Sequence, residues 1–493
     1  MATERDFITP ADVVVLTTAN VVGNTAFVDL YSNTARAQTY PVFSQNFALS
    51  PYLDRRWTYV RTSNATFLAA NGIISIAGAN TPRFDHDPVT LQCKGLLLEE
   101  GRVNLVRGAT RMVGTGWSFS DGLNGRNSTI IPDAGVAPDG TNNACFYVHV
   151  TDVSAYHTYG QTLTTQIANN TTYTHSVFFK ANTTPQEPSF LLGQYDNLDA
   201  INSVLLSFSF AANGTITGWT SSGSGSNVVI QSVGSQNYPN NWVRLYYSFR
   251  YTGGPRTIAI KHDLNGGSLS ASTNNVRGVY MWGSQLEQGP FPTSFIPTSD
   301  NLTATRVTDT AYIDGDKLNT FKDDRSMTVV ATTAPLAWHG NTAMVSSTEQ
   351  RYNTVWTLLN NPAPPGPFVP AIDSRFPQQG AYFSYLNDVS PHRISYYHAM
   401  FNNIENYIGF NGYNLTVNNY ITDASYITNA ITMRSNNWIM VSNGTLSSTN
   451  LNYFAGANNN YFQIGGAGNV YFKRLAIYNT QLSNTEMIGI TTT

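Results

Sequence analysis

The chain has 493 residues, 41% of them hydrophobic, enough for real cores and, at ~150 residues each, for about three domains; an intrinsically disordered protein is excluded. Charged residues make up 12%, well below the ~25% of ordinary globular domains, and Asn, Thr, Ser, Gly and Tyr fill the gap. A net charge of −3 leaves no electrostatic footprint for nucleic acid.

Residues 1–60 read as a separate N-terminal region. Met1-Ala2-Thr3-Glu4-Arg5-Asp6 carries acids and does not read as a signal peptide. Thr9-Pro10-Ala11-Asp12 has the form of a helix start. Val13-Val14-Val15-Leu16 is too short to span a bilayer, so no membrane insertion is expected. Phe27–Tyr31 alternates like a strand, and Asn46 to Trp57 has no clear period. Such a region buries little on its own. Its expected role is docking and oligomerisation; the competing role is an extension packed on the next domain.

Residues 61–112 form a connecting β segment. In Thr81-Pro82-Arg83-Phe84-Asp85-His86-Asp87-Pro88 the acids and histidine are adjacent between prolines. They read as a turn with Arg83 as charge partner rather than a metal site. Leu96-Leu97-Leu98 reads as a short buried strand, with Glu99, Glu100 and Arg102 as its solvated flank. Cys93 and Cys145 form no CxxC pair and are expected as two reduced thiols.

From 113 to 299 the pattern is all β. Tyr173–Lys180 and Val204–Phe210 alternate, and turn signals such as Ala212-Asn213-Gly214 and Gly253-Gly254-Pro255 recur. No stretch has a convincing helical period. Three prolines between Pro290 and Asp300 mark a boundary. Residues 300–493 again read as strands, among them Met327–Ala331 and Trp438–Val441, the latter running into an Asn443-Gly444 hairpin turn. The expected fold is all-β, two tandem jelly-roll-like β-sandwiches at 113–299 and 300–493.

Two resemblances sharpen this. Tyr461-Phe462-Gln463-Ile464-Gly465-Gly466, then Arg474–Asn479 and Leu482–Met487, look like the closing segment of laminin-G/concanavalin-like sandwiches. Secondly, the Thr81–Pro88 run, Leu97–Leu105, Val136–Thr141, Asn241–Leu245, Val279–Glu287 and Phe291–Thr298 resemble, in that order, a recurrent module of bacteriophage tail-fibre and other virion proteins. Thr90-Leu91-Gln92 departs from it, since many relatives have a glycine turn there. The resemblance implies a carbohydrate-binding-module-like middle sandwich and a virion protein assembled in the host cytoplasm. The partners it implies are further copies of the chain, in a trimer, other virion proteins through the N-terminal region, and host-surface glycan. A capsid decoration or collar component without glycan binding is the alternative.

Enzyme motifs are absent: there is no GxSxG, HExxH, P-loop or dinucleotide fingerprint. The acids read more simply as turns and charge partners than as the carboxylate pair a glycosidase needs. No enzyme activity and no cofactor are expected. A glycan site needs aromatic platforms with amides and carboxylates at the rim. Trp219 and Tyr195 near turns, with Asp196 and Asn197, are candidates in the middle domain; Trp338 and Tyr352 are candidates in the last. Packing is the competing role for each. Trp242 and Trp282, inside alternating strands, read as core. Asp133 and Asp139, with Gly140, are the only nucleus for a calcium ion in the middle domain and read more simply as a turn.

Overall fold

The computed structural model describes residues 39–114, 116–119, 128–149, 157–182, 189–196, 204–210, 216–222, 227–264, 278–313, 326–335, 351–359, 394–400, 404–410, 413–421, 426–434, 437–446, 461–465 and 469–492. The fold is all-β, as the turn-bounded alternations require. Four large antiparallel sheets face one another in two pairs.

In the first pair, one sheet runs in the order Val228–Tyr238, Trp242–Tyr251, Thr171–Ala181, Gly278–Gln288, Ala144–His149, Ser128–Gly135. The facing sheet runs Ile216–Ser222, Val204–Phe210, Ser189–Asp196, Ile258–Leu264, His157–Thr162, Trp117–Phe119. Their inner faces share one apolar core that includes Val177, Phe179, Phe190, Leu192, Ile260 and Met281. Trp242 and Trp282 are buried, as expected of core residues.

The second pair draws on both ends of the described chain. Val470–Tyr478 pairs with Ser326–Pro335, with Cys93–Leu98 and with Phe43–Asn46. In the facing sheet Trp57–Val60 pairs with Thr310–Ile313, which continues into Tyr461–Gly465. Phe43, Trp57, Leu96, Leu98, Val329, Phe462 and Ile477 lie in one core. The sheets therefore divide the chain differently from a linear partition at 60, 112 and 299. Strands from 43–98 and 310–478 complete one sandwich, the platform, and the sandwich of 117–288 is inserted between them. The two crossings pair with each other as a two-stranded ladder, Arg102–Asn104 with Ala304–Arg306. Residues 1–38, which hold most of the expected docking region and its helix start, lie outside the described residues.

A helix, Asn484–Thr491, closes the described chain. Ser483 and Glu486 form a reciprocal capping box, which satisfies two backbone donors that a helix start leaves open. Met487 and Leu482 cover Val330, Ala430, Val441 and Ala476 on the outer face of the platform sheet. This cover explains why Leu475–Tyr478 is buried without interruption rather than alternating. Asn443 and Gly444 take positive φ values, 43° and 79°, at the predicted hairpin. No helix among the described residues is long and apolar enough to cross a membrane.

Candidate functional site at the sandwich junction

The segments singled out as a recurrent module, spread from Thr81 to Thr298, come together where the insert meets the platform. Thr171–Ala181 is buried on both faces from Thr172 to Phe179. Its inner face fills the insert core, and its outer face is covered by residues 289–298, which lead back to the platform. Thr174 Oγ1 donates to Gly289 O (2.6 Å), and Phe178 packs against Phe295. Arg244, on the neighbouring strand, donates to Thr293 O (2.6 Å) and Ser176 Oγ (3.0 Å).

The ladder is locked by side-chain hydrogen bonds. Asn104 Nδ2 donates to Ile296 O (2.9 Å) and Ser284 O (3.3 Å), while its Oδ1 accepts from Val106 N and Leu286 N (3.0 and 3.1 Å). Glu287 accepts from Thr293 N (2.8 Å), Thr293 Oγ1 (2.6 Å) and Gln285 Nε2 (2.5 Å).

At the centre lies a buried ionic network. Glu99 takes Ser294 N and Oγ (2.7 and 2.6 Å), Arg83 (2.7 Å) and Arg306 (3.1 Å). Arg83 also pairs with Asp309 and donates to Thr66 O (2.7 Å). Asp309 further accepts from Arg61 (3.0 Å), Tyr59 Oη (2.5 Å) and Glu99 N (2.8 Å). Arg61, Arg83 and Arg306 thus face Glu99, Asp309 and the nearby Glu287, all buried. Three positive and three negative groups cancel. Burial pushes the Glu99 carboxyl up, but Arg306, Arg83 and the Ser294 bonds outweigh it and hold it at about 2. Burial likewise opposes charge on Arg83, yet Asp309 and Glu99 keep it above its ordinary value.

Two sequence expectations are corrected here. Glu99 and Arg102 are buried, not a solvated flank. Arg83–His86 is a strand rather than a turn, and the arginine's partners are Glu99 and Asp309, not the adjacent acids. Asp85 accepts from Leu68 N (2.7 Å) and Tyr471 Oη (2.7 Å). Burial raises its carboxyl despite Lys94 and these bonds. Local sequence conceals this network because Arg306 and Asp309 lie more than two hundred residues from Arg61, Arg83 and Glu99. The available signal was arginine and glutamate flanking apolar strands in a chain with 12% charge.

A cavity of about 50 Å³ opens beside the network, lined by Thr66, Asp85, Gln236, Arg244, Thr293 and Tyr471 among others. It can hold a few waters but falls far short of the ~300–1,000 Å³ of a ligand pocket.

The predicted glycan residues are not brought together. Trp219 is 45% exposed on the edge strand Ile216–Ser222. It pairs with Phe208, which pairs with Phe190, which pairs with Leu264, so it ends an inward-facing apolar row and overhangs the edge. Tyr195 and Asp196 close their strand opposite Ala259 and Ile258. Tyr195 lies roughly 17 Å along the strand from the Trp219 row and two strands away, about 10 Å more. Tyr352 belongs to the platform, opposite Ala399. Asn197 and Trp338 lie outside the described residues. Of the calcium nucleus, Asp133 pairs with Arg111, and Asp139 accepts from Thr141 N and Oγ1 (3.0 and 2.6 Å). No group of three or more His, Cys, Asp or Glu among the described residues is gathered for a metal. Cys93 and Cys145 are free thiols.

No family model and no curated protein matches the chain. Among solved structures it is similar to domain 4 of AbnA, an extracellular arabinanase from Geobacillus stearothermophilus, in complex with arabinotriose; identity is 10%, coverage 41% of this chain and 83% of that one, and the TM-score 0.23. It is also similar to Trypanosoma rangeli sialidase in complex with the inhibitor DANA, at 9% identity, 75% and 61% coverage and a TM-score of 0.25. Values this low assign neither a fold family nor an activity.

Proposed function

We propose that the chain is a bacteriophage virion structural protein, a tail fibre, spike or appendage that contacts host-surface glycan and has no catalytic role. The observation that carries this reading is spatial. The segments that resemble phage virion modules lie together at one junction, where Arg83, Glu99, Asn104, Arg244, Glu287 and Ser294 interlock. The resemblance is thus to a structural unit rather than to scattered strands. Glu99 and Asp309 are each bound to arginines, which leaves neither free as the acid or base of glycoside cleavage.

Contact with glycan falls to the Trp219 edge. A half-exposed indole on a strand that also carries the exposed Thr217 and Thr220 offers the apolar surface and the hydroxyls that a sugar face requires. Weak single contacts suffice where copies act together. Trp219→Ala should weaken binding of purified protein to host envelope polysaccharide. Stability should fall by only about 1–2 kcal/mol, less than the ~3–5 for a fully buried aromatic. Unchanged binding by the variant would move the reading to its alternative, a decoration or collar part without glycan affinity. The scatter of the other aromatic candidates favours that alternative.

The reading includes assembly as a trimer, and attachment to other virion proteins, through the N-terminal region of residues 1–60. Open edges such as Ile216–Ser222 and Val228–Tyr238 gain from symmetric packing. Light scattering should give three times 54.1 kDa for the full chain, and a monomer would contradict this part of the reading.

A further inference from the structure

The insert core contains polar groups that its fold does not satisfy. His175 and His262 project from opposite sheets into the apolar interior, both fully buried, with ring centroids 5.4 Å apart in an edge-to-face arrangement. Each ring makes one hydrogen bond: His175 Nε2 with Ser284 Oγ (3.1 Å) and His262 Nδ1 with Tyr159 O (3.2 Å). His175 Nδ1 and His262 Nε2 have no partner among the described residues, nor do Tyr247 Oη and the Gln194 amide.

Every element packed on the pair offers neutral groups. Trp242–Tyr251 contributes Tyr247, 5.6 Å from His175 by ring centroids. His157–Thr162 contributes Tyr159, Trp117–Phe119 the Trp117 ring at 5.8 Å from His262, and Ser189–Asp196 the Phe190 ring at 6.1 Å. Gly278–Gln288 contributes Ser284, while Glu287 is turned outward to Thr293. On the pair's own strands, the Tyr173 hydroxyl accepts from Ala168 N (2.9 Å). Lys261 and Asp263 alternate to the face opposite His262. Cys145 and Tyr147, from Ala144–His149, are buried and neutral.

We propose that this histidine pair is an acid-triggered release built into the insert sandwich: between neutral pH and pH 5, the cost of charging two facing rings in a dry core loosens the insert while the platform stays folded. A single imidazolium would lack a counter-ion there, and two would repel across 5.4 Å. Burial, together with the neighbouring His262, holds His175 well below the usual histidine range, and burial lowers His262 to about 4 despite the Tyr159 carbonyl. The sign follows. A depressed folded value stabilises above the unfolded value near 6.5, and that stability is lost as pH falls from there toward 4. For His262 alone the unfolded state gains roughly 30-fold between pH 7.5 and pH 5. The junction does not share this response, since Glu99 remains charged down to about 2.

Hydrogen exchange of the full chain at pH 7.5 and 5.0, corrected for intrinsic rates, reads the two sandwiches separately. Residues 117–288 should lose protection by at least roughly 30-fold at pH 5, and residues 43–98 and 310–478 should not. The double variant His175→Gln, His262→Gln should lose most of the difference. Should that variant fail to fold, histidine-selective NMR of the unaltered protein decides: both rings must remain neutral in the folded state at pH 5. An insert unaffected by acid, a platform that loosens with it, a double variant that keeps the full response, or a folded ring titrating near 6.5 would each overturn the proposal.

Discussion

Arg83 bears the junction's balance of charge, joining Glu99 and Asp309 while also bonding Thr66 O. Removing it leaves two carboxylates buried without their shared cation, which typically costs about 3–5 kcal/mol. Arg83→Ala should therefore lower the free energy of unfolding by that amount in urea titrations; a loss under about 1 kcal/mol would mean the network is solvated. The pH sense is also fixed. Glu99 has a folded value depressed to about 2, so its contribution is complete above the unfolded value near 4.3 and declines only as pH drops toward 2. Neither property was legible in Glu99-Glu100-Gly101-Arg102, which reads as a polar flank until Arg306 and Ser294 are placed beside it. The burial of Trp242 and Trp282 was legible from their place within strands, although those strands are buried on both faces.

Among elements, those with local causes were read directly. Asn443-Gly444 makes the predicted hairpin because both residues must take positive φ. Elements whose neighbours are remote in sequence were not. Leu96–Leu98 announces a buried strand, but its partner Val470–Phe472 lies at the other end of the chain. The Lys94-Gly95 irregularity is similar. Asp85 pairs with Gly95 and His86 with Cys93, leaving Lys94 as an extra residue; Gly95, at φ +103, has no room for a side chain, since a Cβ would stand 2.1 Å from Phe472 O. The bulge brings Lys94 Nζ over the Tyr471 ring at 3.8 Å. Pleat sterics permit such a bulge, but the need for it comes from the third strand. Tyr195 and Trp219, both candidates for glycan contact, lie on strands two apart in one sheet, a separation that strand order and register set and local sequence does not show.

At the scale of the molecule, one sandwich is set into another. The platform closes only when strands near residues 43–98 reach those near 310–478, so its core of Phe43, Trp57, Leu96, Phe462 and Ile477 is shared between distant segments. The paired crossings Arg102–Asn104 and Ala304–Arg306 then hold the insert by two strands rather than one. The measurement that tests this arrangement most directly is the folding of a polypeptide spanning residues 300–493, alone and with a second polypeptide spanning residues 39–112, followed by near-UV circular dichroism and urea unfolding. The nested arrangement predicts that the first remains without cooperative unfolding until the second is added, and that the two then unfold together. A cooperatively folded 300–493 on its own, unaffected by the added strands, would contradict it.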